Sequence, residues 1–172
     1  MTKTKYPLHP TRNNLHSNTK TVVIQLLNAR LADGLDIALI TKQAHWNMKG
    51  HNFIGVHKMM DDFRSEQNEL NDKMAERIAA IGGTALGTTQ EIAKNSSIAE
   101  YPTDIISVDD HLTALSERFA IYANALRKAI DEADEAGDAD TSDLFTEVSR
   151  AMDQQLWFLE AHKPYPSKLH AK

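Results

Sequence analysis

An all-α four-helix bundle is predicted by three observations. Four long stretches repeat their apolar residues every three or four positions, glycine and capping residues punctuate their ends, and no alternating β-branched run is long enough for a strand. The 172 residues suffice for one domain with a sizeable core. The bundle is expected over residues 18–162, with a basic, flexible tail at 1–17 and a basic tail at 163–172.

The first helix is expected from about Thr19 to Met48, with Val23, Leu27, Leu31, Leu35 and Leu39 on a four-residue step, and Gly50 ending it. The second runs from about Ile54 to Ile81, with Leu70, Met74, Ile78 and Ile81 as its later stripe, and stops at Gly82-Gly83. The third begins at Ser107, a good N-cap, followed by Asp109 and Asp110 where the helix dipole favours negative charge. Val108, Leu112, Leu115, Phe119, Tyr122, Leu126 and Ile130 trace one of its faces, and Gly137 closes it. The fourth carries Phe145, Val148, Met152, Leu156 and Leu159. Short turns join helices one to two and three to four. The stretch from Gly82 to Ile106 between the pairs far exceeds the roughly 2–8 residues usual in bundles. Two antiparallel hairpins joined by one long crossover form the ferritin-like variant of the four-helix bundle, and Thr89 to Lys94 have the makings of a short extra helix within the crossover.

Composition narrows the chemistry. There is no cysteine, so neither disulfides nor thiolate metal sites arise, and any metal must be held by nitrogen and oxygen. The polar N-terminus, Met1 to His16, shows no leader or membrane span, making a cytoplasmic setting the expectation. The net charge of −5 conceals an asymmetry. Lys3, Lys5, Arg12, Lys20 and Arg30 stand in residues 1–32 without an acid, and Lys163, Lys168 and Lys172 follow Glu160 without one. Setting those eight cations aside leaves 11 basic against 24 acidic residues in 33–160, a net of −13.

The informative segment runs from His45 to Arg77. His57 and Asp61 are four apart on the second helix, as are Asp72 and Glu76, so each pair shares a face and can converge on a cation. His45 lies near the end of the first helix. Imidazole with carboxylate suits iron, manganese or zinc, and an open carboxylate-rich site suits Fe(II) best. Asp61 and Asp72 return to nearly the same face but lie about 16 Å apart along the axis, whereas metal–ligand distances are about 2 Å. One copy of the helix therefore cannot bring both pairs to one centre. Either each chain carries two sparse sites, or the pairs meet across an interface, as antiparallel packing about a two-fold axis would allow. Such pairs on their own are more often decoration of a solvated face.

His45-Trp46-Asn47-Met48-Lys49-Gly50 with Val56-His57 and Asp61 resembles the first signature of the Dps family (DNA-binding protein from starved cells), the mini-ferritins. Asp72-Lys73-Met74-Ala75-Glu76-Arg77 before Gly82 resembles the second. Leu86-Gly87-Thr88-Thr89-Gln90 and Leu156-Trp157-Phe158 are also similar, so the resemblance spans roughly residues 20–160. Asn71 departs from it, standing where the family usually has an aliphatic residue, and puts local packing in question. The resemblance implies a two-iron ferroxidase centre at a dimer interface, with His45, His57, Asp61, Asp72 and Glu76 as ligands and catalytic residues. It also implies a hollow homododecamer, hydrogen peroxide as preferred oxidant, Fe(III) mineral storage and protection of DNA. Trp46 beside His45 has two readings, quenching of stray oxidising equivalents or ordinary core packing.

Two further features carry expectations. The acidic run at 131–143, with Asp131, Asp134, Asp138 and Asp140, lies where the family's iron-entry pore is plausible, although a solvated helix end explains it equally. The basic ends, with Lys3, Lys5, Arg12, Lys163, Lys168 and Lys172, suggest sequence-independent DNA contacts and nucleoid association. A nucleoid-structuring protein with incidental metal binding is the alternative to an enzyme. His9, His16, His51, His111, His162 and His170 match no ligand position and are expected at the surface or in caps.

Overall fold

The structure, a computed structural model, describes residues 6–163. They form five helices and no strand: α1 (Ser17–Asn47), α2 (Phe53–Ala80), α3 (Thr89–Asn95), α4 (Val108–Glu135) and α5 (Ala139–Ala161). The four long helices make the bundle, and α3 is the short helix of the crossover. The closest pairings are α1 with α2 and α4 with α5, the two hairpins expected from the short connections.

The helix ends follow from local chemistry. Gly82 (φ +91°) and Gly137 (φ +83°) take left-handed backbone. At the first, Gly83 N–H donates to Ile78 and Gly82 N–H to Ala79; at the second, Asp138 N–H donates to Ala133 and Gly137 N–H to Asp134. Both are Schellman closures, which satisfy carbonyls a helix otherwise leaves open. The Ser107 hydroxyl accepts from Asp110 N–H at 3.0 Å and caps α4.

The core joins Val23, Leu27 and Leu31 of α1 to Val56, Met60, Met74 and Ile78 of α2, Leu115, Phe119 and Tyr122 of α4, and Phe145, Val148 and Met152 of α5. One expectation is corrected. The four-residue stripe on α1 does not stay buried: Leu35 is half-buried and Leu39 is 46 % exposed. Each step of four overshoots a turn by about 40°, so the stripe drifts round the helix. Ile37, Thr41, Ala44 and Met48 take over the core face.

The crossover is held by α1 and α4. Asn28 donates to the Thr84 carbonyl and accepts from Leu86 N–H. Asp33 accepts from the Ser97 backbone and hydroxyl, and Asp36 accepts from the Ser96 hydroxyl. Arg118 donates to the carbonyls of Ala99 and Glu100. Lys49 and Ser107 form a parallel bridge that fixes the end of α1 beside the start of α4. On the N-terminal side, His9 N–H donates to Gly82 and Lys20 donates to the Asn13 carbonyl, so residues from His9 onward lie against the bundle.

Candidate metal centre

The turn between α1 and α2 brings His45 against His57, 12 residues apart in sequence. Their rings stack with centroids 3.6 Å apart and planes 22° from parallel. His45 Nδ1 lies 2.9 Å from the His57 carbonyl oxygen, and His57 Nδ1 lies 3.0 Å from the His45 carbonyl oxygen. A carbonyl oxygen only accepts, so each Nδ1 carries the proton. Each Nε2 is left with a free lone pair, the arrangement that prepares an imidazole to ligate a metal. Asp61, one turn beyond His57, completes a group whose ligand atoms all lie within 4.8 Å of one another. His45 is buried, His57 half-buried and Asp61 exposed.

Sequence reasoning missed Lys42. Its ammonium donates to Asp61 Oδ1 at 2.5 Å. The Lys42 hydrogen bond is the main reason the Asp61 carboxyl sits below the ordinary aspartate range; slight burial opposes it, and the neighbouring histidines assist. Lys42 lies three residues before His45 and so shares its helix face. That spacing was the available signal.

Asp72 and Glu76 are exposed and do not join this group. Neither side chain has a hydrogen bond or ion pair among the described residues. The separation along α2 deduced from residue spacing accounts for this. The donor set of two imidazoles, one carboxylate and no thiol fits Fe(II) and related divalent cations.

Other expected residues fall differently. Trp46 is 67 % exposed, which rules out ordinary core packing within the chain. Asp138 is not a pore carboxylate in solvent: at 2 % exposure it caps α5 by accepting from Thr141 N–H and pairs with Arg77 at 2.7 Å. Asp131, Asp134 and Asp140 are exposed. His111 is corrected from the surface to the interior, with 1 % exposure. Arg12 is exposed and Lys163 half-buried; Lys3, Lys5, Lys168, Lys172 and His170 lie outside the described residues. Asn71 is buried, and its Oδ1 accepts from Gln67 Nε2 at 2.9 Å. Among the described residues, no helix is long and apolar enough to cross a membrane.

Residues 24–163 match the ferritin-like domain family. The chain is 53 % identical over 154 residues to a DNA protection during starvation protein of Agrobacterium fabrum, covering 90 % of this chain and 95 % of that protein. It is 32 % identical over 138 residues to the protein of that name from Listeria innocua, covering 80 % and 88 %. Among solved structures, DpsC from Streptomyces coelicolor superposes with a TM-score of 0.89 at 29 % identity, covering 99 % of this chain and all of that one. Mycobacterium smegmatis Dps superposes with a TM-score of 0.85 at 31 % identity, covering 89 % and 93 %. With a helical bundle and crossover of this form and relatives matched along most of their length, the chain belongs to the Dps family of ferritin-like proteins.

Proposed function

We propose that this protein is a ferroxidase and iron store: it oxidises Fe(II), preferably with hydrogen peroxide, and keeps the Fe(III) mineral inside a hollow homododecamer, protecting DNA. The observation that carries the reading is the reciprocal His45–His57 arrangement beside Asp61, with Asp72 and Glu76 exposed on the same helix. In this reading two-fold pairing sets the His45/His57/Asp61 end of one chain against the Asp72/Glu76 end of another, giving two centres per dimer. Exposed Leu39, Trp46 and Ile54 on the same end of the α1–α2 hairpin supply apolar surface for such a contact.

The chain's contribution is position and charge. In this reading the Nε2 lone pairs of His45 and His57, left open by the Nδ1–carbonyl contacts, would be offered to Fe(II). Asp61, with Asp72 and Glu76 of the second copy, brings carboxylate charge that favours Fe(III) over Fe(II) and so eases loss of the electron. Few strong ligands leave positions open for peroxide. Using iron and peroxide together limits release of hydroxyl radical, and mineral then grows against acidic side chains. Asp131, Asp134 and Asp140 remain candidates for a carboxylate-lined entry that concentrates cations.

The test is anaerobic Fe(II) loading followed by peroxide, comparing wild type with Asp72→Ala/Glu76→Ala. Rapid oxidation is expected in the first and near-background rates in the second. Equal rates would remove the assignment.

Direct DNA binding is a second reading, favoured by the basic ends that flank an acidic body. The contacts would be to phosphate, multiplied by the copy number of the shell. Lys3, Lys5, Arg12, Lys163, Lys168 and Lys172 would carry them, placing the protein at the nucleoid. Binding should fall steeply with salt and vanish when residues 1–17 and 163–172 are both removed. Binding that persists at high salt would count against it.

A further inference from the structure

The start of α2 lacks a side-chain cap. Its N-cap residue, Asn52, makes no side-chain hydrogen bond to the helix, whereas Thr88, Ser107 and Asp138 cap α3, α4 and α5 in that way. The first turn is exposed at Phe53, Ile54 and Gly55. The connection from α1 also holds left-handed backbone at Gly50 (φ +121°) and Asn52 (φ +59°). An uncapped, solvated helix start frays unless something outside the helix holds it. Left-handed backbone at a non-glycine residue likewise persists only where the surroundings impose it. Yet this helix start leads directly into His57, and the helix end before it carries His45.

The crossover supplies the hold. Lys49 N–H donates to the Ile106 carbonyl at 2.8 Å, and Val108 N–H donates to the Lys49 carbonyl at 3.0 Å. These two bonds make the parallel bridge of Lys49 with Ser107. Lys49 lies four residues after His45 and eight before His57. The α4 side of the bridge is itself fixed. The Ser107 hydroxyl accepts from Asp110 N–H at 3.0 Å and donates to Asp110 Oδ2 at 2.7 Å. Val108 is buried and shares the core with Met48, the residue before Lys49. The Ile106 side chain is 60 % exposed, so this stretch of the crossover meets the turn through its main chain.

We propose that Ile106, Ser107 and Val108 form a positioning clamp for the metal centre: through two main-chain bonds to Lys49 they fix the turn that sets His45 and His57 relative to Asp61. This rests on the metal binding proposed above at those three residues. The reciprocal bonds between the histidines fix the rings relative to each other. The clamp fixes the turn beneath them relative to the bundle. His57 stands in the second turn of α2, so fraying of the uncapped first turn would carry its ring away from Asp61, one turn further on. A ligand set loosened in this way loses affinity, as it does when the groups that orient metal ligands are removed. Coupling of this kind is reciprocal: a clamp that strengthens metal binding is itself stabilised by bound metal.

The test uses the full-length protein under anaerobic conditions with Co(II) as the probe. Hydrogen exchange, followed by mass spectrometry with and without Co(II), should slow in residues 47–52 and 104–112 and stay unchanged in α3, at the other end of the crossover. A merely structural contact would not respond to the metal. Val108→Pro removes the Val108 N–H and with it the bond to the Lys49 carbonyl. Proline suits the first position of a helix, and Ser107 (φ −70°, ψ 148°) already has the extended backbone preferred before proline. The helix and its cap are therefore retained, and Val108→Ala controls for the lost side chain. Co(II) should bind Val108→Pro about tenfold more weakly than Val108→Ala. Slowing confined to 47–52, or equal affinity in the two variants, overturns the clamp alone. Should Val108→Pro fail to fold, the exchange pattern of the wild type decides. Absence of Co(II) binding by wild type, or binding unchanged by His45→Ala, overturns the metal centre and the clamp with it.

Discussion

His45 and His57 each donate from Nδ1 to the other's main-chain carbonyl, at 2.9 and 3.0 Å. Each ring thereby sets the position of the helix end that carries the other ring. Loss of one imidazole removes a ligand and also frees its partner's orientation. His45→Ala and His57→Ala should each weaken Co(II) binding, followed by its absorption under anaerobic conditions, by at least about 10–100-fold, as expected when ligand orientation is lost. The double substitution should cost little more than either single one, because the two act as a unit. Strictly additive losses would mean that the rings bind independently.

Lys42 fills the place beside Asp61 that a cation would take. Lys42→Met should tighten Co(II) binding by roughly two- to fivefold, the range set by a partly exposed ion pair. Lys42→Arg should leave it near wild type. Weaker binding in Lys42→Met would show that the lysine positions the carboxylate rather than competing for it.

Gly34 explains how a buried amide is tolerated at Asn71. A Cβ at residue 34 would lie 2.2 Å from Asn71 Oδ1, 2.7 Å from the Tyr122 hydroxyl and 2.8 Å from Gln67 Nε2. Gly34→Ala should therefore destabilise the folded protein by about 1–3 kcal/mol in denaturant unfolding. The same change should cost less in an Asn71→Ala background, where the nearest atom is gone. An equal cost in both backgrounds would place the clash elsewhere.

Asp138 serves stability through charge. Burial pushes its carboxyl up, but the hydrogen bonds from Thr141 and Arg77 outweigh this and hold it below its ordinary value of 3.8. A depressed folded value means the contribution is complete above about pH 3.8, the ordinary aspartate value, and is lost as pH falls below it toward the folded value. Asp138→Ala should lower stability at neutral pH by about 1–3 kcal/mol, from the lost cap and from the loss of Arg77's closer, buried carboxylate, which leaves it only the exposed Asp140 at 3.6 Å. The gap to wild type should narrow in that acid range; a gap that is constant with pH would assign the loss to packing alone.

The bundle was legible because its signals are local. Periodic apolar residues, Ser107 as cap and the glycines at 82 and 137 act within a turn or two, and the observed ends of α1, α2 and α4 fall within two residues of the expected ones. The short helix at Thr89 follows the same logic, with Thr88 accepting from Glu91 N–H. The stripe ending at Leu39 misled because an exact step of four is not the helical period. What stayed hidden depends on which helices meet. The step of three to His45 puts Lys42 on the same face, but only the packing of α1 on α2 shows that it reaches Asp61 across 19 residues. Asp138 reads as one acid among many until Arg77, 61 residues away, packs against it. Gly34 and Asn71 explain each other only when α1 and α2 are side by side. The candidate site was half legible within the chain: His45, His57 and Asp61 converge, while Asp72 and Glu76 stand apart.

Whether those two sets are completed by a neighbouring copy is measured most directly by mixing. One chain carries His45→Ala, His57→Ala and Asp61→Ala; the other carries Asp72→Ala and Glu76→Ala. Each assembled alone should show background peroxide-driven Fe(II) oxidation. In oligomers co-assembled from equal amounts, half of the two-fold dimers are mixed, and each mixed dimer holds one intact and one doubly damaged centre. Activity should then return to about one quarter of wild type. Background activity in oligomers shown by mass spectrometry to contain both chains would contradict shared centres.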